Sequence, residues 1–312
     1  AQRSLLEPDK YDELSGIFEW ASRTPDGTLA DLPVQPSSEI WDEVSAEADL
    51  CSRLQCAHFD ACFLFKARRR AAEADVVVVN HHLLAADLAV RQASDNWREA
   101  AVLPPYDRLI LDEAHHLEDV AASHLGAQVT SRGIRRLLGR FERNGKGLLP
   151  ALAADLTATG DLLSRASLDL LRDRLLPAVL DARRAADQML IRLHGRLESA
   201  QGGVLRLTDE FRTDEIWKDG LTRELDQTLL AFRAIKDSIE TIADRMAGSE
   251  LTERRTQLLA ELRAVVRRME SISDALNQAL RPAGGGPPTV RWLERTGPKG
   301  QQLLLAAVPL DL

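Results

Sequence analysis

The sequence is poor in cysteine, in leader-like segments and in long apolar runs. Only three cysteines occur in 312 residues, Cys51, Cys56 and Cys62, all within the stretch CSRLQCAHFDAC. No N-terminal segment combines basic residues, an apolar run and a small-residue cleavage site, and no apolar stretch approaches the ~20 residues of a membrane span. We therefore expect a cytoplasmic protein without membrane contact, in which clustered cysteines bind metal or do redox chemistry.

Aromatic residues are also few, at 4% of the chain, whereas Leu, Ala, Arg and Glu dominate. This composition favours helices. An apolar content of 45% is enough for a packed core and excludes wholesale disorder. The net charge of −8 excludes a globally basic nucleic-acid binder. Any surface for nucleic acid must therefore be a local basic patch.

Two short apolar runs predict strands buried in a parallel sheet. Residues 76–79 are four consecutive valines within DVVVVNHHLL, and residues 108–111 form the run RLIL just before DEAHHLED. The valine run is too short for a buried helix and rich in β-branched side chains, as is typical of strands covered on both faces. The second run ends in adjacent carboxylates, at the edge where α/β sheets place ligands.

Much of the remaining sequence predicts helices. Residues 221–247 and 251–281 each carry one apolar stripe with steps of three and four. The short MAGSE segment between them predicts an antiparallel helical hairpin. The other expected elements are helices at 14–22, from Ser37 or Ser38, at 62–74, at 131–146 and at 161–200, an irregular segment at 201–220 containing Trp217, a linker at 281–288 and a β-hairpin at 289–310.

The run LILDEAHH carries the strongest chemical signal. A strand that delivers Asp112 and Glu113 at its carboxyl end suits nucleotide hydrolases, in which the Asp holds the Mg²⁺ on the β and γ phosphates and the neighbouring carboxylate polarises water. An ordinary strand-to-helix turn with an acidic helix start is the alternative. The apolar run before the carboxylates and His115 after them favour the hydrolase interpretation.

Two further stretches are weaker signals. Asn80 and His81 follow the valine run, where side chains that satisfy the backbone of a turn are the simpler interpretation. Lys66, Arg68, Arg69 and Arg70 form the densest positive cluster of an acidic chain. A solvated helix face is the usual explanation of such a run, but its position directly after the cysteines favours a phosphate path.

The cysteine spacing leaves the bound metal open. Zinc needs four ligands, and His58 could complete a Cys₃His set. A 4Fe–4S cluster needs four thiolates, of which the chain supplies three. Spacing alone does not distinguish zinc from iron.

Taken in order, these stretches resemble the DinG branch of the iron–sulfur superfamily 2 DNA helicases, relatives of XPD. The order is C-x4-C-x5-C, a basic ARRRA segment, VVVVNHHLLAADL, LPPYDRLILDEAHHLED, a long helical region and VRWLE…LLLAAVPLDL. The likeness is strongest over 51–120 and 289–312, and the helical region matches in placement and kind only.

The resemblance implies a mixed α/β fold that is predominantly α. Its parts would be an iron–sulfur domain at 1–75 without its fourth ligand, part of a RecA-like parallel-sheet motor domain at 76–125 with the DEAH box, a helical Arch domain at 126–285 and a return to the motor domain at 286–312.

The resemblance also implies roles for single residues. Cys51, Cys56 and Cys62 would bind a 4Fe–4S cluster. Asp112 would hold Mg²⁺ with ATP, Glu113 would activate water, and His115 would couple the nucleotide state to the motor. The DNA-binding residues would be Lys66, Arg68, Arg69, Arg70, Asn80 and His81.

The implied activity is that of an ATP-dependent DNA helicase, a hydrolase that moves 5′ to 3′ on single-stranded or forked DNA in repair or replication, as a monomer. The alternative is a non-catalytic single-stranded nucleic-acid-binding module that contains zinc or a cluster. The sequence has no G-x-x-x-x-G-K-[ST] loop, no arginine-rich late helicase motif and no upstream cysteine. We therefore expect an internal piece of a longer helicase, inactive alone, rather than a degenerate relative.

Overall fold

The structure is a computed structural model, and the chain forms two compact units, Ala1–Ile110 and Leu111–Leu312. The residues that it describes are 8–37, 40–41, 44–45, 51, 56, 58–117, 120–121, 126–247, 252–281, 288–297 and 300–310. Parts of four predicted features lie outside them: Ser38, residues 248–250 of MAGSE, residues 282–287 of the linker and residues 298–299 of the hairpin turn. The predicted domain boundaries near 75, 125 and 285 stay predictions.

The longer α-helices of the first unit are α1 (Pro8–Arg23), α2 (Phe63–Ala72) and α3 (His81–Ser94), and residues 40, 41 and 44 are also helical. The first two confirm the helices predicted at 14–22 and 62–74. Gly27, with φ of +73°, lies against the start of α2, where an added Cβ would come within 2.7 Å of the Phe63 ring. A residue with a side chain would therefore be strained there twice, by its backbone and by the ring.

The prediction of buried strands at 76–79 and 108–111 is wrong for this structure. Both segments are outside any strand, and Val78 and Ile110 are 93% and 94% exposed. A parallel strand is formed only by hydrogen bonds to its neighbours. The described part of the chain supplies no neighbouring strand to either segment, so both apolar runs remain outside any strand and open to solvent.

The second unit is mostly helical. Its α-helices are α4 (Ser131–Phe141), α5 (Leu148–Thr159), α6 (Leu162–Leu170), α7 (Leu176–Glu198), α8 (Thr222–Ala247) and α9 (Glu253–Leu280). A π-helical turn at Leu171–Leu175 joins α6 to α7, which confirms a helical segment through most of 161–200. The segment 201–220 is irregular as predicted, with short 3₁₀ turns and a π-helical turn at Trp217–Leu221.

A four-stranded antiparallel sheet completes the second unit. The strands β1 (Ala127–Thr130), β2 (Val204–Arg206), β3 (Thr289–Thr296) and β4 (Gln302–Pro309) lie in the order β1-β4-β3-β2. The pairing of β3 with β4, from Thr289 opposite Pro309 to Thr296 opposite Gln302, confirms the predicted hairpin. The observed fold is thus mixed α/β and predominantly α, but its sheet is antiparallel.

The hairpin of α8 and α9 provides much of the core. Arg281, just after α9, pairs with Asp226 near the start of α8, and Lys236 pairs with Glu270 farther along. The two pairs run in opposite directions along the chain, so the helices are antiparallel as predicted. Of the apolar positions predicted for the two stripes, all but Leu229 are buried, and Leu229 is partly buried.

Candidate functional site

Helix α2 carries exposed cations that lie close to aromatic rings. Lys66, Arg68, Arg69 and Arg70 are all exposed. The Arg68 guanidinium lies 5.9 Å from the Phe65 ring centroid, and the Arg69 guanidinium lies 5.9 Å from that of Phe59. Both distances permit cation–π attraction. Exposed cations beside aromatic rings are what single-stranded nucleic acid requires, because phosphates pair with the charges and bases stack on the rings.

The turn before α2 places one of these aromatic rings, that of Phe59, against the ring of Phe65. The Phe59 and Phe65 ring centroids are 4.3 Å apart. The Phe59 amide donates to the carbonyl oxygen of Cys56 at 3.0 Å, and the Cys62 amide donates to that of Phe59 at 3.3 Å. Arg69 donates to the Asp60 carbonyl oxygen at 3.3 Å. The last two cysteines therefore flank the turn that carries one of the aromatic rings.

The cysteines are half-buried free thiols. Among the residues that the structure describes, no three or more His, Cys, Asp or Glu side chains form a group able to hold a metal ion. The donor chemistry suits iron or zinc, but the geometry of Cys51, Cys56 and Cys62 does not assemble a ligand set. Residues 52–55 and 57, which connect them, lie outside the described part.

Asn80 has the local role that the simpler interpretation gave it. Its side-chain oxygen accepts the Leu83 amide at 2.8 Å and caps α3. An Asn cap satisfies one of the free amides of the first helical turn. His81 is the first residue of α3 and is half-buried. Both residues lie at the start of α3, and a contact with DNA remains a prediction.

The acidic box, residues 112–115, forms a tight local cluster. Glu113 has left-handed backbone angles, φ 46° and ψ 46°, and begins a 3₁₀ turn at Ala114–His116. The Glu113 amide donates to the Asp112 carboxylate at 3.0 Å. The His115 Nδ1 lies 3.3 Å from the Glu113 carboxylate, and both side chains are exposed, at 65% and 69%. The left-handed backbone conformation of Glu113 is costly for a residue other than glycine, and such strained residues are concentrated at functional sites.

This cluster contains side chains that could hold Mg²⁺ and position the attacking water in a nucleotide site. Asp112 offers oxygen ligands of the kind that Mg²⁺ prefers, and Mg²⁺ in nucleotide sites needs only one or two carboxylates besides phosphates and water. Glu113 carries a second carboxylate within hydrogen-bond reach of an imidazole. The structure thus brings Asp112, Glu113 and His115 together.

Sequence reasoning missed a buried polar group in the first unit. Asp87 and Arg91, one turn apart on α3, are 0% and 3% exposed, and Arg91 Nε donates to the Asp87 carboxylate at 2.6 Å. The signal was present, since both charges share the face of α3 that buries Leu84. Charges at helical spacing on an apolar face predict a buried ion pair.

The DEAD_2 family model matches residues 34–134. That range contains the cysteines, the cations of α2, the start of α3 and the acidic box. Residues 34–134 are a DEAD_2 region. The resemblance stated from the motifs is thereby confirmed.

The curated relatives carry matching names. The ATP-dependent DNA helicase YoaA of Escherichia coli (strain K12) is 38% identical over 114 residues, which are 36% of this chain and 17% of that protein. The ATP-dependent helicase DinG of Mycobacterium tuberculosis (strain ATCC 25618 / H37Rv) is 35% identical over 147 residues, 46% of this chain and 21% of that protein. The 3′-5′ exonuclease DinG of Bacillus subtilis (strain 168) is 30% identical over 139 residues, 43% and 14% of the two chains.

The matched part is a fraction of these relatives, since the chain spans about a fifth of the length of the first two. Within the part of the chain that the structure describes, none of the helices combines the length and apolar character needed to cross a bilayer.

Proposed function

We propose that the chain is part of an ATP-dependent DNA helicase of the DinG type. The observation that carries the proposal is the acidic box within the DEAD_2 region, with Glu113 in a strained conformation beside His115. The names of the relatives support the same activity. Movement from 5′ to 3′, forked DNA, a role in repair or replication, the cytoplasm and a monomeric state rest on the family resemblance and belong to this proposal.

The residues divide the work of ATP hydrolysis in a definite way. When bound with ATP, Mg²⁺ neutralises charge that develops on the transferred phosphate, and the Asp112 carboxylate would hold it. Glu113 orients the attacking water and accepts its proton. His115, 3.3 Å from the Glu113 carboxylate, fixes the direction in which that carboxylate points. The cations of α2 and the start of α3 bind the DNA strand.

The two exposed apolar runs fit a larger sheet. Val76 and Val78 are 78% and 93% exposed, and Leu109 and Ile110 are 50% and 94% exposed. Short apolar runs of this kind are typical of strands that are covered on both faces. We propose that residues 76–79 and 108–111 belong to a RecA-like motor domain and would become strands only beside neighbouring strands that the described part of this chain does not supply.

We also propose that Cys51, Cys56 and Cys62 bind a 4Fe–4S cluster together with a thiolate outside this chain. Three free, half-buried thiols close in sequence support this assignment. The complete helicase polypeptide, prepared without oxygen, should contain iron and acid-labile sulfide at about four each per chain. Stoichiometric zinc without sulfide would instead show that His58 or another residue completes a zinc site.

ATP hydrolysis distinguishes the helicase from a binding module. We expect no hydrolysis by this chain alone, because it has no glycine-rich phosphate loop, and hydrolysis stimulated by single-stranded DNA in the complete polypeptide. Binding of single-stranded DNA without hydrolysis by the complete polypeptide would favour the non-catalytic module. Hydrolysis by this chain alone would contradict the proposal that it lacks the phosphate-binding part of the site.

A further inference from the structure

The pair of Asp87 and Arg91 holds the segment that follows α3. Arg91 uses all five of its N–H groups. Beyond Asp87, these groups donate to the carbonyl oxygens of Trp97 at 3.3 Å, Glu99 at 2.8 Å, Leu103 at 3.3 Å and Pro104 at 3.3 Å. A guanidinium with every donor used holds its surroundings in one geometry.

Asp87 fixes the same segment from the other side. Its Oδ1 accepts the backbone amides of Val102 at 2.9 Å and Leu103 at 2.7 Å. The Tyr106 hydroxyl donates to Oδ2 at 3.4 Å, and the Arg91 guanidinium lies 5.2 Å from the Tyr106 ring centroid. Burial, followed by the Asp87 charge, raises the pKa of Tyr106, so its hydroxyl stays a donor at neutral pH.

The contacts of Asp87 and Arg91 with residues 97–106 are more numerous than a surface loop requires. A desolvated ion pair contributes little net stability compared with apolar side chains, and its better attested role is to specify one geometry. Here two side chains of α3 fix residues 97–106, which have no regular secondary structure. In the sequence, only residues 107–111 separate Tyr106 from Asp112.

We propose that Asp87 and Arg91 are positioning residues that couple DNA binding at the start of α3 to ATP hydrolysis at the acidic box. The inference rests on the proposed helicase function. Because both side chains are buried, they touch neither ATP nor DNA, and they act through the backbone of residues 97–106. A change at this pair should therefore lower the DNA-stimulated kcat and leave the KM for ATP and the affinity for DNA in place.

The test uses two variants of the complete polypeptide. Asp87→Asn keeps an oxygen that can accept the Val102 and Leu103 amides but removes the charge that pairs with Arg91. Arg91→Lys keeps the positive charge but cannot reach the four carbonyl oxygens. Gln92→Ala, a change at the exposed neighbour of Arg91, is the matched control. The measurements are kcat and KM for ATP with and without single-stranded DNA, the DNA affinity and the melting temperature.

We expect the DNA-stimulated kcat of both variants to fall on the order of 10- to 100-fold, because bound DNA would no longer improve the placement of the reacting groups. The hydrolysis rate without DNA, the KM for ATP and the DNA affinity should stay within about twofold, and Gln92→Ala should behave as wild type. Wild-type kcat in a folded Arg91→Lys variant would overturn the proposal. If neither variant folds, the pair serves only the fold and the proposal is equally overturned. A wild type without DNA-stimulated hydrolysis would instead show that the helicase assignment itself is wrong.

Discussion

Single residues of α2 should determine how strongly the binding of DNA depends on salt. Lys66, Arg68, Arg69 and Arg70 are exposed, and α2 contains no acidic residue. Each cation that neutralises a phosphate of single-stranded DNA contributes about 0.7 to the slope of log K against log salt. Replacement of Arg68 by Gln should therefore reduce that slope by about 0.7 and weaken binding alike for all sequences.

The control for this prediction is Arg184→Gln, an exposed arginine of the second unit that pairs with Asp181. Binding titrations at several salt concentrations measure the slope for each variant. A slope that is the same in wild type, Arg68→Gln and Arg69→Gln would assign the basic run to the solvated face that the sequence also allowed.

The role of Asn80 was predictable from the sequence, whereas the role of Asp87 was not foreseen. An Asn before a helix satisfies amides only three residues away, so local spacing is enough to indicate the cap. Asp87 accepts amides 15 and 16 residues away. Those contacts depend on how residues 97–106 fold back on α3, and no short pattern in the sequence encodes that path.

At the scale of elements, helices were predicted better than strands. The stripes of α8 and α9 follow the helical period over many turns, and each helix forms its hydrogen bonds within itself. The strands expected at 76–79 and 108–111 depend on neighbours for every hydrogen bond, which their own sequence cannot supply. The strand β1 was missed because it is only four residues long, too short for a pattern of alternating side chains to stand out.

The helical hairpin also gives a stability prediction. Ile235 on α8 is fully buried, whereas Leu230 on the same helix is 67% exposed. Ile235→Ala should lower the free energy of unfolding of this chain by about 2–5 kcal/mol, because it leaves a cavity in the core. Leu230→Ala is the matched control and should cost well under about 1 kcal/mol. Urea denaturation measures both, and equal costs would contradict the packing of α8 against the core.

At the scale of the whole molecule, the sequence predicted the family and the predominance of helix but not the kind of sheet. The DEAD_2 match over 34–134 confirms the family indicated by the order of the motifs. The antiparallel sheet arises from β1 and β2, which add to the predicted β3–β4 hairpin. A parallel sheet would need strands far apart in sequence, so short segments cannot reveal whether all of its members are present.

The proposed helicase function requires Glu113 to activate water for ATP hydrolysis that DNA stimulates. The most direct measurement compares the complete polypeptide with its Glu113→Gln variant, with Asp107→Asn as a control that alters a nearby exposed carboxylate. Hydrolysis in the presence of single-stranded DNA should fall by about 10²- to 10⁴-fold in Glu113→Gln, the usual contribution of a general base. ATP binding should be retained, and Asp107→Asn should hydrolyse ATP as wild type does. Wild-type hydrolysis by Glu113→Gln would show that Glu113 does not activate the water.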